Sequence, residues 1–272
     1  MKSRIIPNSI QLPKDKLIGM VKTKFDDYIN FINYQHIDFP QNIDFHFYNG
    51  LTDRKEFIGQ VYVPDNDNQN YTLTLDQIDC ITNKKDVVFH EFTHIMDYLI
   101  INKDLPFDEK LSTIRYISEI RATYIEYFAR CNINQYDNSI LLPSNTILFS
   151  GAKFKQITLD EEVICYQDKI IKCIQQSDKR NAKDSSDILV KLAYYMGFVL
   201  FIQKHTHIQI DSSNIIQLLS DRFGESVELF FNSKDIIPLN FSPIDIKILH
   251  LIKDIENLMI NYYIEKFIRP HR

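Results

Sequence analysis

The hydrophobic periodicity of this chain mixes strands with helix over its first hundred residues and becomes helical almost throughout beyond residue 135, and that change limits what it can fold into. Upstream, short runs with strand-like patterns dominate. Ile43 to Tyr48 alternates apolar and polar residues and is closed by Asn49-Gly50. Phe57 to Val63 is a β-rich run ended by Pro64, and Tyr71 to Leu75 alternates threonine with Tyr and Leu. One helical period precedes them, Lys16 to Tyr34, with Ile18, Val21, Phe25, Ile29 and Ile32 on one face. Downstream the spacing is helical almost throughout. Helices are expected from about Asn83 to Asn102 and from about Asp108 to Cys131, the second with Leu111, Ile114, Ile117, Ile120, Tyr124 and Phe128 inward. The capping-box sequence Thr158-Leu159-Asp160-Glu161 opens another, to about Gln176. A polar break, Ser177 to Ser186, precedes an apolar helix through Lys204, and Ser213 to Phe223 is a short helix with Gly224 as its C-cap. Ser242-Pro243 offers an N-cap and an N1 proline for a last helix ending before Pro270.

With 6 glycines in 272 residues and this many helical periods, a β-barrel or sandwich is improbable. The expected class is α+β: residues 1–134 as a small mixed sheet with helices, and residues 135–272 as a mainly helical subdomain packed on it. The net charge of -5, with Lys and Arg scattered between acids, gives no electrostatic case for nucleic acid or anionic membrane. Met1 to Met20 has no apolar leader region, and the most apolar stretch, Ala193 to Ile202, is too short to span a bilayer. A cytoplasmic location without membrane association is expected. Cys80, Cys131, Cys165 and Cys173 form no CxxC pair and read as free buried thiols. Asp65 to Asn70 alternates acceptors like the start of a calcium loop, but it lacks the glycine at the sixth position and reads as a polar hairpin loop.

The strongest chemical signal is His90-Glu91-Phe92-Thr93-His94, in the middle of an expected helix flanked by Val87, Val88, Phe89 and Ile95. Histidines four apart lie one above the other on a helix face, about 6 Å apart at Cβ, so both imidazoles can hold one zinc ion. Glu91 lies between them on an adjacent face, where its carboxylate can take a proton from an activated water. Zinc also needs a third protein ligand. A histidine of the HExxHxxGxxH type is excluded, because those positions hold Asp97 and Ile100. Glu119, in Ser118-Glu119-Ile120-Arg121-Ala122, is the best candidate: it is on the next helix, far enough along for the chain to turn back. Ala122 is small enough to let the two helices approach, and Glu126 is the fallback ligand on the same face.

His90-Glu91-x-x-His94 followed by Glu119-x-x-Ala122 resembles the gluzincin group of zincin metallopeptidases, over roughly residues 43 to 130. The resemblance implies a zincin-like core, zinc as cofactor, His90, His94 and Glu119 as ligands, and Glu91 as general base. It departs from the membrane-bound members, which carry an Asp directly after ExxA where this chain has Thr123. Asp97 shares the helix face of both histidines and can hold an imidazole tautomer from behind. Phe57 to Val63 is the candidate edge strand for an extended peptide, with Gly59 allowing close backbone approach. Tyr194, Tyr195, His205 and His207 are the candidate donors to a developing oxyanion. His46, His36, His250 and His271 have no company that suggests ligation.

The expected function is therefore zinc-dependent hydrolysis of a peptide or protein substrate, with Glu91 moving the proton. Three alternatives stand beside it: a regulatory protease with one protein target, an interaction protein that keeps the fold without turnover, and a host-directed toxin or mobile-element factor.

Overall fold

Alternation in the upstream third produces strands at the expected places. The computed structural model describes residues 12–49, 59–64, 66, 69–83, 85–106, 110, 114–149 and 156–269. After a first helix, α1 (Lys14–Phe31), come β1 (Ile43–Tyr48), β2 (Gly59–Tyr62) and β3 (Tyr71–Asp76). β3 is central: β1 runs parallel to it with Ile43 opposite Tyr71, and β2 runs antiparallel on the other side with Gly59 opposite Leu75. Tyr71, Leu73 and Leu75 are buried along β3, whereas no residue of β2 is buried, as suits an edge. Residues 57 and 58 of the expected edge run, and 65, 67 and 68 of the acidic loop, lie outside the described residues.

A short helix, α2 (Gln77–Ile81), is capped by Asp76 and leads to α3 (Asp86–Ile95). The helix expected to run on to Asn102 changes pitch at Met96 and finishes as a π-helix, Met96–Ile101. Pro106 then prevents continuation. α4 (Arg115–Arg130) follows; residues 108, 109 and 111–113 of the expected Asp108–Cys131 helix lie outside the described residues. The buried back of α3 packs on α1 through aromatic edges: Tyr28 meets Phe89, and Phe25 meets Phe92, each with ring centroids 5.2 Å apart. The Tyr28 hydroxyl, 2.9 Å from Thr93 Oγ1, fixes the rotation of α3 about its axis.

A small hairpin, β4 (Ile147–Phe149) with β5 (Gln156–Thr158), precedes α5 (Leu159–Gln176), whose N-terminus carries the expected capping box. α6 (Ala182–His205) starts earlier than the polar break suggested, because Asn181 caps it by accepting from the Lys183 and Asp184 backbones. At 24 residues α6 is long and apolar enough, by length and composition, to cross a bilayer. That corrects the expectation that no segment reaches such a length. Of its most apolar window, 78% is buried inside the molecule, as a core helix would be. α7 (Ser213–Phe223), α8 (Ser226–Asn232), a 3-10 turn (Ser233–Ile236), α9 (Ile246–Tyr263) and a closing π-helical turn (Ile264–Ile268) complete the order. Asp245, not Ser242, caps α9, accepting from Lys247. The chain cannot turn helical earlier, because the Ile244 N–H is tethered to Asn102 Oδ1 at 3.1 Å.

The architecture is mixed α+β, helix-rich with a small sheet. One hydrophobic core runs from Leu17 to Tyr263 without a gap at residue 134, so the change there is one of element type and not of packing. α6 lies against α4 at very close range: a β-carbon on Gly197 would stand 2.3 Å from the Ile120 carbonyl oxygen. The four cysteines carry no disulfide, and only Cys80 is buried.

Candidate metal centre

α3 and α4 face each other, and their contact determines the site. His90 and His94, one turn apart on α3, have ring centroids 4.9 Å apart at an interplanar angle of 78°. From α4, Glu119 projects between them. Its Oε2 lies 3.4 Å from His90 Nε2 and 3.3 Å from His94 Nε2. One ligand atom from each of the three residues falls within a 4.8 Å sphere of mutual separation.

Those separations fit a shared cation better than hydrogen bonds between the groups themselves. Two ligand atoms each about 2.0–2.1 Å from one tetrahedral ion stand about 3.3–3.4 Å apart. Glu119 Oε2 is buried and has no hydrogen-bond partner of acceptable geometry, although two ring nitrogens are this close. The donor set, two imidazole nitrogens and a carboxylate oxygen, is also the chemistry zinc accepts. Glu126, the alternative ligand, is not in that cluster.

Each imidazole is instead held from behind, through Nδ1. His90 Nδ1 is 3.0 Å from Glu126 Oε2, and His94 Nδ1 is 2.8 Å from Ser118 Oγ. A carboxylate only accepts, so the neutral His90 ring carries its proton on Nδ1 and turns the Nε2 lone pair toward Glu119. Asp97 stands near Ser118 and His94, but neither of its carboxylate oxygens has a hydrogen-bond partner. It is fully buried at the start of the π-helix, 2.8 Å from Arg121 Nη1. The contacts of that ion pair are oblique, since neither carboxylate oxygen of Asp97 meets hydrogen-bond angles, and charge proximity carries it. The Phe241 ring covers the guanidinium at 5.0 Å.

Glu91 sits beside the two histidines, 4% exposed, against the edge strand. A β-carbon on Gly59 would stand 2.8 Å from Val87 Cγ1 and 3.0 Å from Glu91 Oε1, so only glycine lets β2 approach so closely. Burial holds the Glu91 carboxyl above its ordinary range, against the pull of His90, His94 and the Val61 backbone N–H. Its Oε2 is buried and without a partner. Burial also disfavours the charged forms of His90 and Glu119. Even so, their mutual attraction, with Glu126, raises the imidazole well above and lowers the Glu119 carboxyl well below its ordinary value.

An open cleft of about 400 Å³ borders these residues, with Gly59 and Val87 on one side and Tyr127, Arg130, Tyr166 and Tyr194 on the other. Of the four candidate oxyanion donors, only Tyr194 reaches it. Its ring is 5.7 Å from His90, and it lies within reach of the charges of Glu119 and Glu91. Burial, then the charges of Glu119 and Glu91, hold this phenol well above its ordinary value, so it remains a donor. The other three are corrected by their placement. Tyr195, one helical step on, turns into the core and bonds Ser212 Oγ and Gln167 Nε2. His205 lies three turns further, about 16 Å along the axis, buried between Tyr124 and the Ile140 carbonyl. His207 is exposed beyond the helix end.

Sequence reasoning missed Ser118, Arg130, Tyr127 and Tyr166. Ser118 had a weak signal, a small polar residue at a buried position between Ile117 and Ile120. Arg130 bridges Glu126 at 4.0 Å and Glu162 of α5 at 3.0 Å, a link between distant segments that no local pattern signals. Comparison of the chain with family models, with curated proteins and with solved structures finds no match.

Proposed function

We propose that this chain is a zinc-dependent metallopeptidase of the HExxH…ExxA kind, with His90, His94 and Glu119 as the ligands and Glu91 as general base. The observation that supports this reading most is an unpartnered, buried Glu119 oxygen standing 3.4 and 3.3 Å from two Nε2 atoms, the spacing of donors around a tetrahedral ion. Zinc bound there would supply Lewis acidity, making water a nucleophile near neutral pH and polarising a carbonyl oxygen.

The chain's own residues do the rest. Glu126 and Ser118 keep both imidazoles in the ligating tautomer. Glu91 Oε2, buried beside the histidines with no competing donor, takes the proton of the attacking water and returns it to the leaving amine nitrogen. Tyr194 donates its hydroxyl proton as a hydrogen bond to the carbonyl oxygen as charge builds there. β2, the edge of the sheet, offers backbone groups to an extended peptide laid across the cleft, and Gly59 keeps that peptide near Glu91.

Zinc content and peptide hydrolysis measured together test the proposal. Glu91→Gln should retain one zinc per chain while hydrolysis of a mixed peptide library falls at least about a hundredfold. His94→Ala should lose both. Undiminished hydrolysis in the Glu91→Gln protein refutes the assigned base, and stoichiometric zinc in His94→Ala refutes the ligand set.

A further inference from the structure

The wall of the cleft away from β2 is built from three tyrosines. Tyr127 on α4, Tyr166 on α5 and Tyr194 on α6 line one side of a space of about 400 Å³. That is room for one large side chain with its backbone. Tyr127 and Tyr166 are both backed by the buried ring of Phe198, at centroid distances of 4.7 and 4.8 Å, the latter stacked at 12°. Their positions are therefore fixed before anything binds.

The charges on the same wall are already committed. Arg130 pairs with Glu162 at 3.0 Å, and its guanidinium lies 4.6 Å over the Tyr127 ring. Glu162 also accepts from the Tyr127 hydroxyl at 2.9 Å, and Glu126 is occupied by His90. An acidic side chain entering here meets Glu126 and Glu162, while a basic one meets Arg130. Neither gains a free partner, and each leaves water to do so. The uncommitted surface is that of the half-buried Tyr166 and Tyr194 rings, since Tyr127 is buried beneath Arg130.

From this arrangement we infer that the tyrosine wall is a specificity pocket for a large neutral aromatic side chain of the substrate, with Tyr166 as its determining residue. The inference rests on the peptidase reading for where the bond is cut, but not for the preference in binding. Tyr166 touches neither the histidines nor Glu119, so its effect is on which peptide binds and not on the metal ligands.

The chain contains no tryptophan, so a tryptophan peptide reports its own binding by fluorescence without background from the protein. The zinc-loaded Glu91→Gln protein is titrated with the blocked peptide Ala-Ala-Trp-Ala, then competed with its Phe, Asp and Lys counterparts. The Trp and Phe peptides should bind about tenfold or more tightly than the Asp and Lys peptides. Tyr166→Ala, checked for unchanged zinc content, should lose most of that preference, and Tyr166→Phe should keep it. Equal affinity for all four peptides, no binding of any, or a preference indifferent to Tyr166→Ala overturns the inference. The four peptides are then given to the protein with Glu91 intact. A binding preference with no hydrolysis sustains the pocket and refutes the peptidase reading; hydrolysis of all four alike does the reverse.

Discussion

His90 and His94 each commit one ring nitrogen away from the site, and the two commitments differ in kind. His90 leans on a carboxylate, Glu126, while His94 leans on the Ser118 hydroxyl. Removing such an outer partner costs about 10–100-fold in metal affinity, so Ser118→Ala should weaken zinc binding by that order in competition with a chelator. Unchanged affinity would mean that Ser118 does not orient the ring. A third histidine works in the opposite sense. His205 accepts from the Tyr124 hydroxyl at Nε2 (2.6 Å) and donates from Nδ1 to the Ile140 carbonyl, so the neutral ring is the satisfied one. Burial lowers its pKa below the ordinary value of 6.5. Its sign follows: as pH falls below about 6.5 the unfolded chain takes the proton first, and stability drops. Thermal unfolding should show a melting temperature that declines between about pH 6.5 and 5, with a shallower decline in His205→Gln. At this scale the clustering of His90, His94 and Glu119 was legible, because four-residue spacing and ExxA are local patterns. Ser118 and Arg130 were not, because their partners arrive from other helices.

Among the elements, the crossing of α4 and α6 is the least forgiving. A β-carbon on Gly197 would be 2.3 Å from the Ile120 carbonyl oxygen and 2.9 Å from Thr123 Cβ. Ile120 and Thr123 bracket the turn that follows Glu119, so pushing α6 outward also moves Tyr194 away from the cleft. Gly197→Ala should destabilise the protein by about 1–3 kcal/mol in denaturant unfolding, the usual range for overpacking. A neutral result would show that the helices can separate freely. Helix boundaries were legible where a cap decides them locally, as at Thr158, and misread where a distant tether intervenes. Ser242-Pro243 has the right residues for a helix start, yet Asn102 holds Ile244 in an extended approach, and the cap passes to Asp245. The π-helix after Ile95 has no period of its own that pattern reading could have found. It places Asp97 behind Ser118, and Asn102 Nδ2 closes it on the Asp97 carbonyl at 2.9 Å.

In the molecule as a whole, the helical half completes the sheet-bearing half. Tyr124 and Phe128 of α4 pack on Phe201 of α6, and Tyr127 packs on Phe198, so without α6 one face of the glutamate helix would be bare aromatic surface. A fragment of residues 1–134 should therefore lack cooperative unfolding and bind a hydrophobic dye. Cooperative melting of that fragment would make the first half an independent domain, against the continuous core seen here. The central claim concerns one cluster in this structure, His90, His94 and Glu119. Zinc K-edge X-ray absorption on the zinc-loaded protein reads that cluster directly. We expect a first shell of nitrogen and oxygen only, at about 2.0–2.1 Å, with the outer-ring scattering of two imidazoles. Sulfur at about 2.3 Å, or a shell without imidazole, would contradict the assignment.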